Sequence, residues 1–282
     1  MNRSSLPDYA ERLRLQHLAL GGHYRRWFGA LSPDAEIRTI ADIACGDGGF
    51  SRILSDVFPD AAITGLDVDP QYLEAAREAS AEGRRIDYRQ HDVLSGSLDE
   101  TFDLVFCADS FQSIQDHQDL IEAMAAMTSD DGIVMITETD NVNDLVGGVP
   151  PEVELTLRQI ELETLDNSAR AGHCFPRDVV RHLRRAGLAN VTLTSRTADF
   201  VGPLSNDLRR WLDRHFDDRL NALKDSGKDV PDDVAAYYDP TGERYFAAAE
   251  DCIVTFLRYF AFATKKPAAK KSSAGNDRHG SD

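Results

Sequence analysis

Between residues 38 and 138 short apolar runs alternate with segments of helical period, and this alternation constrains the fold more than any other feature. The runs are 38–44, 61–67 (AAITGLD), 85–90, 102–108 (FDLVFCA) and 132–138 (GIVMITE). Between them lie three helical patterns. One carries Phe50, Ile53, Leu54 and Val57 on a single face; one opens with Asp69 as cap and Pro70 in its first turn and stops at Gly83; one carries Leu120, Met124 and Met127. Repeated strand–helix units of this length predict a parallel sheet with helices on both faces.

The flanks read differently. Tyr24, Trp27, Phe28 and Leu31 recur at i, i+3, i+4 and i+7, the stripe of an N-terminal helix. After residue 139 the spacing predicts a helix over 151–168, a break at Gly172-His173-Cys174-Phe175-Pro176, and a helix with Val179, Leu183 and Ala186 that ends at Gly187. A strand over 190–197, a helix over 204–223, a helix near 241–252 and a last strand over 254–264 complete the pattern. The domain reading is a helical cap over 1–34, a main domain over 35–264 with a helical insertion at 199–250, and a disordered tail over 265–282, which is rich in Lys, Ala, Ser and Gly.

Composition removes some classes of function. The 282 residues carry a formal net charge of -17, which repels phosphate backbones and makes nucleic acid a poor partner. No apolar run approaches the ~20 residues of a membrane span, so no membrane partner is expected. The first residues lack the apolar core of a secretory leader. The four cysteines (Cys45, Cys107, Cys174, Cys252) are scattered without metal-ligand spacing. A reduced, cytoplasmic protein with no metal site is the expectation.

The chemistry concentrates at Ile40-Ala41-Asp42-Ile43-Ala44-Cys45-Gly46-Asp47-Gly48-Gly49-Phe50, an apolar run that enters small residues and glycines before a helix. Glycines there let backbone N–H groups approach a ligand. Ala44-x-Gly46-x-x-Gly49 with Asp67 further on also fits a loose dinucleotide fingerprint. Two acids point away from a nicotinamide dehydrogenase. Asp42, at the strand end, would repel a pyrophosphate but suits a ligand with an ammonium group. Asp92 follows the third strand, where an adenine amino group can be met.

The order Asp42-Ile43-Ala44-Cys45-Gly46-Asp47-Gly48, then Gly65-Leu66-Asp67-Val68-Asp69, then Asp92-Val93, then Phe102-Asp103-Leu104-Val105 resembles the class I S-adenosylmethionine-dependent methyltransferases. The resemblance implies an α/β fold: a seven-stranded Rossmann-like sheet whose last strand is antiparallel, with helices on both faces. It implies S-adenosyl-L-methionine as cofactor and S-adenosyl-L-homocysteine as its product. Carried over by position, Asp42, Ala44, Gly46 and Gly48 would line the methionine part and the turn. Asp67 would accept from the two ribose hydroxyls and Val68 would pack on adenine. Asp92, with the Val93 backbone beside it, would meet the adenine amino group. Cys107, Ala108 or both would face the methionine end from the fourth strand. Ala44 stands where the family usually has its first glycine.

A sulfonium methyl is already activated, so the protein must mainly hold an acceptor in line with it. A general base is needed only where the acceptor must lose a proton; His117 and His173 are the candidates, while His17, His23 and His215 fall on helices and rank below them. Residues 108–112 lack the Asn/Asp-Pro-Pro-Tyr/Phe signature of the adenine-DNA and glutamine-protein methylating branches. The break at 172–176 and the Arg-Arg-Ala-Gly-Leu ending at 188 resemble the small-molecule branch, of ubiquinone-biosynthesis-like and natural-product type. The expected partner is a small organic acceptor, with oxygen the first choice of methylated atom before nitrogen and carbon; a homodimer is compatible with this reading. The alternatives are a protein methyltransferase and a non-catalytic cofactor-binding scaffold. Tyr237, Tyr238, Tyr245 and Phe246 in the insertion are candidates for a pocket wall, or for packing of the insertion on the core.

Overall fold

β1 (Thr39–Ile43) and β4 (Phe102–Ala108) are buried along nearly their whole length, which is why they read as unbroken apolar runs. The computed structural model describes residues 6–31, 36–80, 84–96, 98–143 and 145–265. Around those two strands the chain runs α1 (Leu6–Leu31), β1, α2 (Gly49–Val57), β2 (Ala62–Asp67), α3 (Pro70–Ala79), β3 (Ile86–Gln90), β4, α4 (His117–Met127) and β5 (Thr128–Thr139). It continues through β6 (Leu145–Val146), α5 (Pro151–Thr164), α6 (Asn167–His173), α7 (Val179–Arg185), β7 (Ala189–Val201), α8 (Asn206–Asp225), α9 (Asp232–Ala235) and β8 (Ile253–Thr264). The sheet order is β3-β2-β1-β4-β5-β8-β6, with β7 pairing β8 from outside that path. The first five strands are parallel and β8 runs antiparallel to β5, as expected. The two-residue β6 brings the described strands to eight.

The helices cover two faces. On one, α1, α2 and α8 bury Tyr24, Phe28, Phe50, Trp211 and Phe216 against Phe106, Phe256 and Phe260. Phe28 sits 5.5 Å from Phe106 and 6.0 Å from Phe260, both edge-on, so α1 is docked on the sheet by aromatic packing. On the other face, α4 and α7 bury Leu120, Met124, Met127 and Leu183 against Val105, Cys107 and Ile136. Phe111 and Phe175 stack there at 3.8 Å.

Local signals explain most boundaries. Asp69 caps α3 by accepting from Gln71 N at 2.9 Å, and Pro70 supplies the preset first turn. Gly83 lies outside the described residues, as do 1–5, 32–34 of the cap and all of the tail after Lys265. β7 extends to Val201, past the expected end at 197, so the insertion starts at 202. The helix expected near 241–252 does not form. Pro240 biases Asp239 out of the helical region, Thr241 N closes a turn on Asp239 Oδ1 at 2.9 Å, and only a short 3-10 turn, Phe246–Ala248, follows. Tyr238 and Phe246 instead fold back onto Phe216 of α8.

Candidate functional site

β1 lies between β2 and β4, so the loops leaving β1 and β4 diverge and open a crevice at the C-terminal edge of the sheet. The turn from β1 into α2 fills its floor. Ala44 (φ 54°), Gly46 (φ 54°) and Gly48 (φ 72°) are all left-handed. Gly48 admits no side chain, since a Cβ there would stand 2.3 Å from Tyr88 Oη. Ala44 adopts the same hand at a cost of ~1 kcal/mol, which accounts for glycine being usual at this position. Cys45 N donates to Leu66 O at 3.0 Å and Gly48 N to Cys45 O at 2.9 Å, pinning the turn to β2 and to itself.

Three buried carboxylates surround the turn. Asp67, at the end of β2, accepts from Gly46 N (2.9 Å) and Asp69 N (3.0 Å), and burial raises its pKa. Asp42 is 1% exposed and accepts from Ser51 Oγ, which ties β1 to α2. Burial, with Asp67 and Asp47 nearby, pushes Asp42 up to about 7. Asp47 accepts from Gly49 N at 3.0 Å and lies 3.7 Å from Arg52.

Beyond Asp67 the crevice is apolar and open. Val68 is 59% exposed and Leu94 42% exposed, on the loops that follow the adjacent strands β2 and β3. Asp92 is exposed and accepts from Leu94 N at 3.0 Å, while Val93 is buried. At the end of β4, Ala108 packs on the α1 side, whereas the Cys107 side chain points into the opposite core, where burial pushes its thiol up.

The two histidines singled out from the sequence lie apart from one another. His117 is buried against Phe111 and Phe175, with Nε2 2.8 Å from Phe111 O. His173, at the end of α6, is half-buried under the insertion, and its carbonyl accepts from Asn141 N; burial lowers its pKa. Of the four aromatic residues, Tyr238 lines a small cavity of about 10 Å³, room for a single water, and Arg244 covers Tyr237. A surface cleft of about 400 Å³ lies at the other end of the sheet, where β5 and Thr192 meet Leu31, and its lining carries no charge.

Sequence reasoning missed a polar cluster at the end of β4. Asp109 (φ 51°) accepts from Gln16 Nε2 of α1 at 2.9 Å and is paired with Arg258 of β8. Arg258, 4% exposed, also donates to Tyr24 Oη at 2.6 Å. Beside them Glu138 accepts from Phe111 N at 2.9 Å, and burial, with Asp109 nearby, raises its pKa. The available signal was Arg258 itself, a lone cation within the apolar run 254–264. Among the described residues no helix is long and apolar enough to cross a membrane, and no group of three His, Cys, Asp or Glu could hold a metal.

Comparisons with known proteins agree with this architecture. Residues 40–132 match the family model described as a methyltransferase domain. The chain is 36% identical over 113 residues to the trans-aconitate 2-methyltransferase of Streptomyces coelicolor, a match covering 37% of each chain. It is 28% identical over 109 residues to the Escherichia coli protein of that name, covering 39% of this chain and 42% of that one. The matched stretch thus spans about two fifths of these curated relatives. Among solved structures, the YcgJ protein of Bacillus subtilis superposes with a TM-score of 0.56 at 13% identity, covering 88% of this chain and all of that one. A Bacillus halodurans protein named as a methyltransferase gives 0.54 at 14% identity, covering 86% and 98%. Residues 40–132 thus carry a methyltransferase domain, and the sheet order with its antiparallel β8 matches the Rossmann-like methyltransferase fold.

Proposed function

We propose that this chain transfers the methyl group of S-adenosylmethionine to a small organic acceptor. The observation that carries the reading is the acidic, glycine-built turn at the strand-order reversal. Asp42, Asp47 and Asp67 are buried there with Arg52 as the nearby cation, which suits a ligand bearing ammonium and sulfonium charges and disfavours a pyrophosphate. The fit extends along the crevice. Asp67 retains lone pairs for a vicinal diol, Val68 and Leu94 offer apolar surface to a flat base, and Ala108 leaves room at the methionine end. Asp42, Ala44, Gly46, Gly48, Asp67, Val68, Asp92, Val93, Cys107 and Ala108 are the proposed cofactor-binding set, Cys107 through its backbone. When bound, the cofactor supplies a methyl group already activated by its sulfonium.

The chain's own part is to position the acceptor and exclude water. α1 reaches the end of β4 through Gln16 and Tyr24 and packs on α8, which narrows this end of the crevice against a docked protein side chain. This supports a small acceptor over a protein one. Asp109, Arg258, Gln16 and Tyr24 form a prearranged polar wall at the end of β4, the edge where an acceptor would lie. The curated relatives are named for trans-aconitate, a small carboxylic acid, which favours oxygen as the acceptor atom.

Calorimetry with S-adenosylmethionine and S-adenosylhomocysteine tests the reading first. Micromolar binding of both is expected, and no binding of either would refute it. A methyl-transfer screen over small carboxylic acids, phenols and amines then tests catalysis. Tight cofactor binding with no turnover on any acceptor would favour a scaffold.

A further inference from the structure

β7 (Ala189–Val201) is the outermost strand on its side of the sheet. β8 pairs with one of its edges; among the described residues no strand and no backbone hydrogen bond meets the other. From Thr192 to Val201 its register against β8 is unbroken, so the free edge is long and regular. Such an edge is a template for a further strand unless something blunts it. The usual devices are missing: β7 holds no Lys and no Pro, and its register shift lies before Thr192. Its one cation, Arg196, folds along its own strand and donates to Thr194 Oγ1 at 2.9 Å and to Ser195 O at 2.7 Å. That covers a single edge carbonyl, which keeps a second lone pair.

The alternation of hydrogen bonds tells which residues face outward. Gly202 N donates to Cys252 O at 2.8 Å, so Gly202 and the even-numbered residues before it turn their backbone groups toward β8. Leu193, Ser195, Thr197, Asp199 and Val201 turn theirs toward the free edge. Their side chains share one face of the sheet, and all of them are exposed. Two are large and apolar: Leu193 is 42% exposed and Val201 70%.

The spacing of these residues makes the edge complementary to itself. An antiparallel pairing about a twofold axis through Thr197 sets Leu193 opposite the partner's Val201, Ser195 opposite the partner's Asp199, and Thr197 opposite the partner's Thr197. Apolar meets apolar, hydroxyl meets carboxylate, and no like charges stand opposite each other. Asp199 is already oriented for this by Thr197 Oγ1 at 3.0 Å and Thr255 Oγ1 at 2.8 Å. The axis through Thr197 alone brings Leu193 and Val201 together. An axis through Ser195 sets Val191 against Asp199, and one through Asp199 sets that carboxylate against its own copy.

We propose that the free edge of β7 is an interface between two copies of this chain, an antiparallel pairing centred on Thr197 that joins the two sheets into one. β7 lies four places from β1 in the sheet order, so the contact is well away from the β1 turn.

Sedimentation velocity on the full chain from about 1 to about 100 μM should show the mass rising from 31.3 kDa toward twice that value, the modest affinity of a small contact. Thr197→Lys sets like charges against each other at the axis and should hold the protein at monomer mass. Cross-linking tests the register. Facing α-carbons in a hydrogen-bonded antiparallel pair stand ~5.5 Å apart, within disulfide reach. Thr197→Cys should therefore form a covalent dimer with diamide, above the wild-type background from the native cysteines. Ser195→Cys should not, because its two copies are offset by on the order of 13 Å along the strands. A wild type that stays at monomer mass throughout would overturn the proposal, whatever else covers the edge. So would a dimer that survives Thr197→Lys, or one that cross-links through position 195 as readily as through 197. Should Thr197→Lys misfold, the two cysteine variants decide.

Discussion

Replacing Asp42 by Asn should change the pH dependence of stability in a way that can be worked out beforehand. Asp42 is buried on the α2 side of the sheet, its hydroxyl partner is Ser51, and its charged neighbours Asp67 and Asp47 share its sign. Its pKa is about 7 in the fold against an ordinary 3.8. Between those values the unfolded chain releases the proton and the folded chain keeps it. The native state therefore binds more protons, and stability falls as pH rises, by ~1.36 kcal/mol per pH unit, levelling off above pH 7. Asn keeps the shape, still accepts from Ser51 through its carbonyl, and has no proton to lose. Urea unfolding at pH 5 and pH 8 should thus find the wild type losing about 2.7 kcal/mol more than Asp42→Asn over this interval. Glu138, whose pKa burial also raises, adds a slope of the same sign, but it is common to both proteins and drops out of the difference. Parallel stability profiles for the two proteins would refute the claim that Asp42 is held protonated by burial. A cofactor ammonium beside Asp42 would favour its ionised form, so S-adenosylhomocysteine affinity should rise with pH through 7 in the wild type and stay flat in the variant.

Asp67→Ala should weaken S-adenosylhomocysteine by ~1.5–3 kcal/mol in calorimetry, the scale for losing charge-assisted hydrogen bonds; an unchanged affinity would count against its ribose role. Ala44→Gly should stabilise the free protein by ~0.5–1 kcal/mol in urea unfolding, because the left-handed conformation at φ 54° carries no Cβ penalty in glycine. Arg258→Ala should destabilise by ~3–5 kcal/mol, since it strands Asp109 without its cation, and adding Asp109→Ala should recover part of the loss in a double-mutant cycle.

The strands of the matched domain were legible because burial on both faces makes their sequence apolar throughout, as in Ala62–Asp67 and Phe102–Ala108. The acids of the turn were legible because a carboxylate at the end of such a run has few structural reasons to be there. The false helix at 241–252 came from spacing alone, which does not register that Tyr238 and Phe246 are drawn onto Phe216. The packing of His17 onto Gly49 was hidden for a related reason. Helical periodicity assigns a residue to a face, but what that face meets depends on how α1 docks, and the sequence signal was only the second of two adjacent glycines, Gly48-Gly49. Arg258 was visible as an anomaly, yet its partners lie 149 and 234 residues away.

Those separations bear on how the chain comes off the ribosome. Tyr24 is synthesised before Asp109, yet both wait for β8 to deliver the guanidinium that joins them. Until then the nascent protein carries a half-built cleft: a glycine turn that can already close on itself, beside a carboxylate with no counter-charge. The proposed acceptor wall therefore matures only with β8, and a chain released before β8 would hold the proposed cofactor turn without the polar wall beside it.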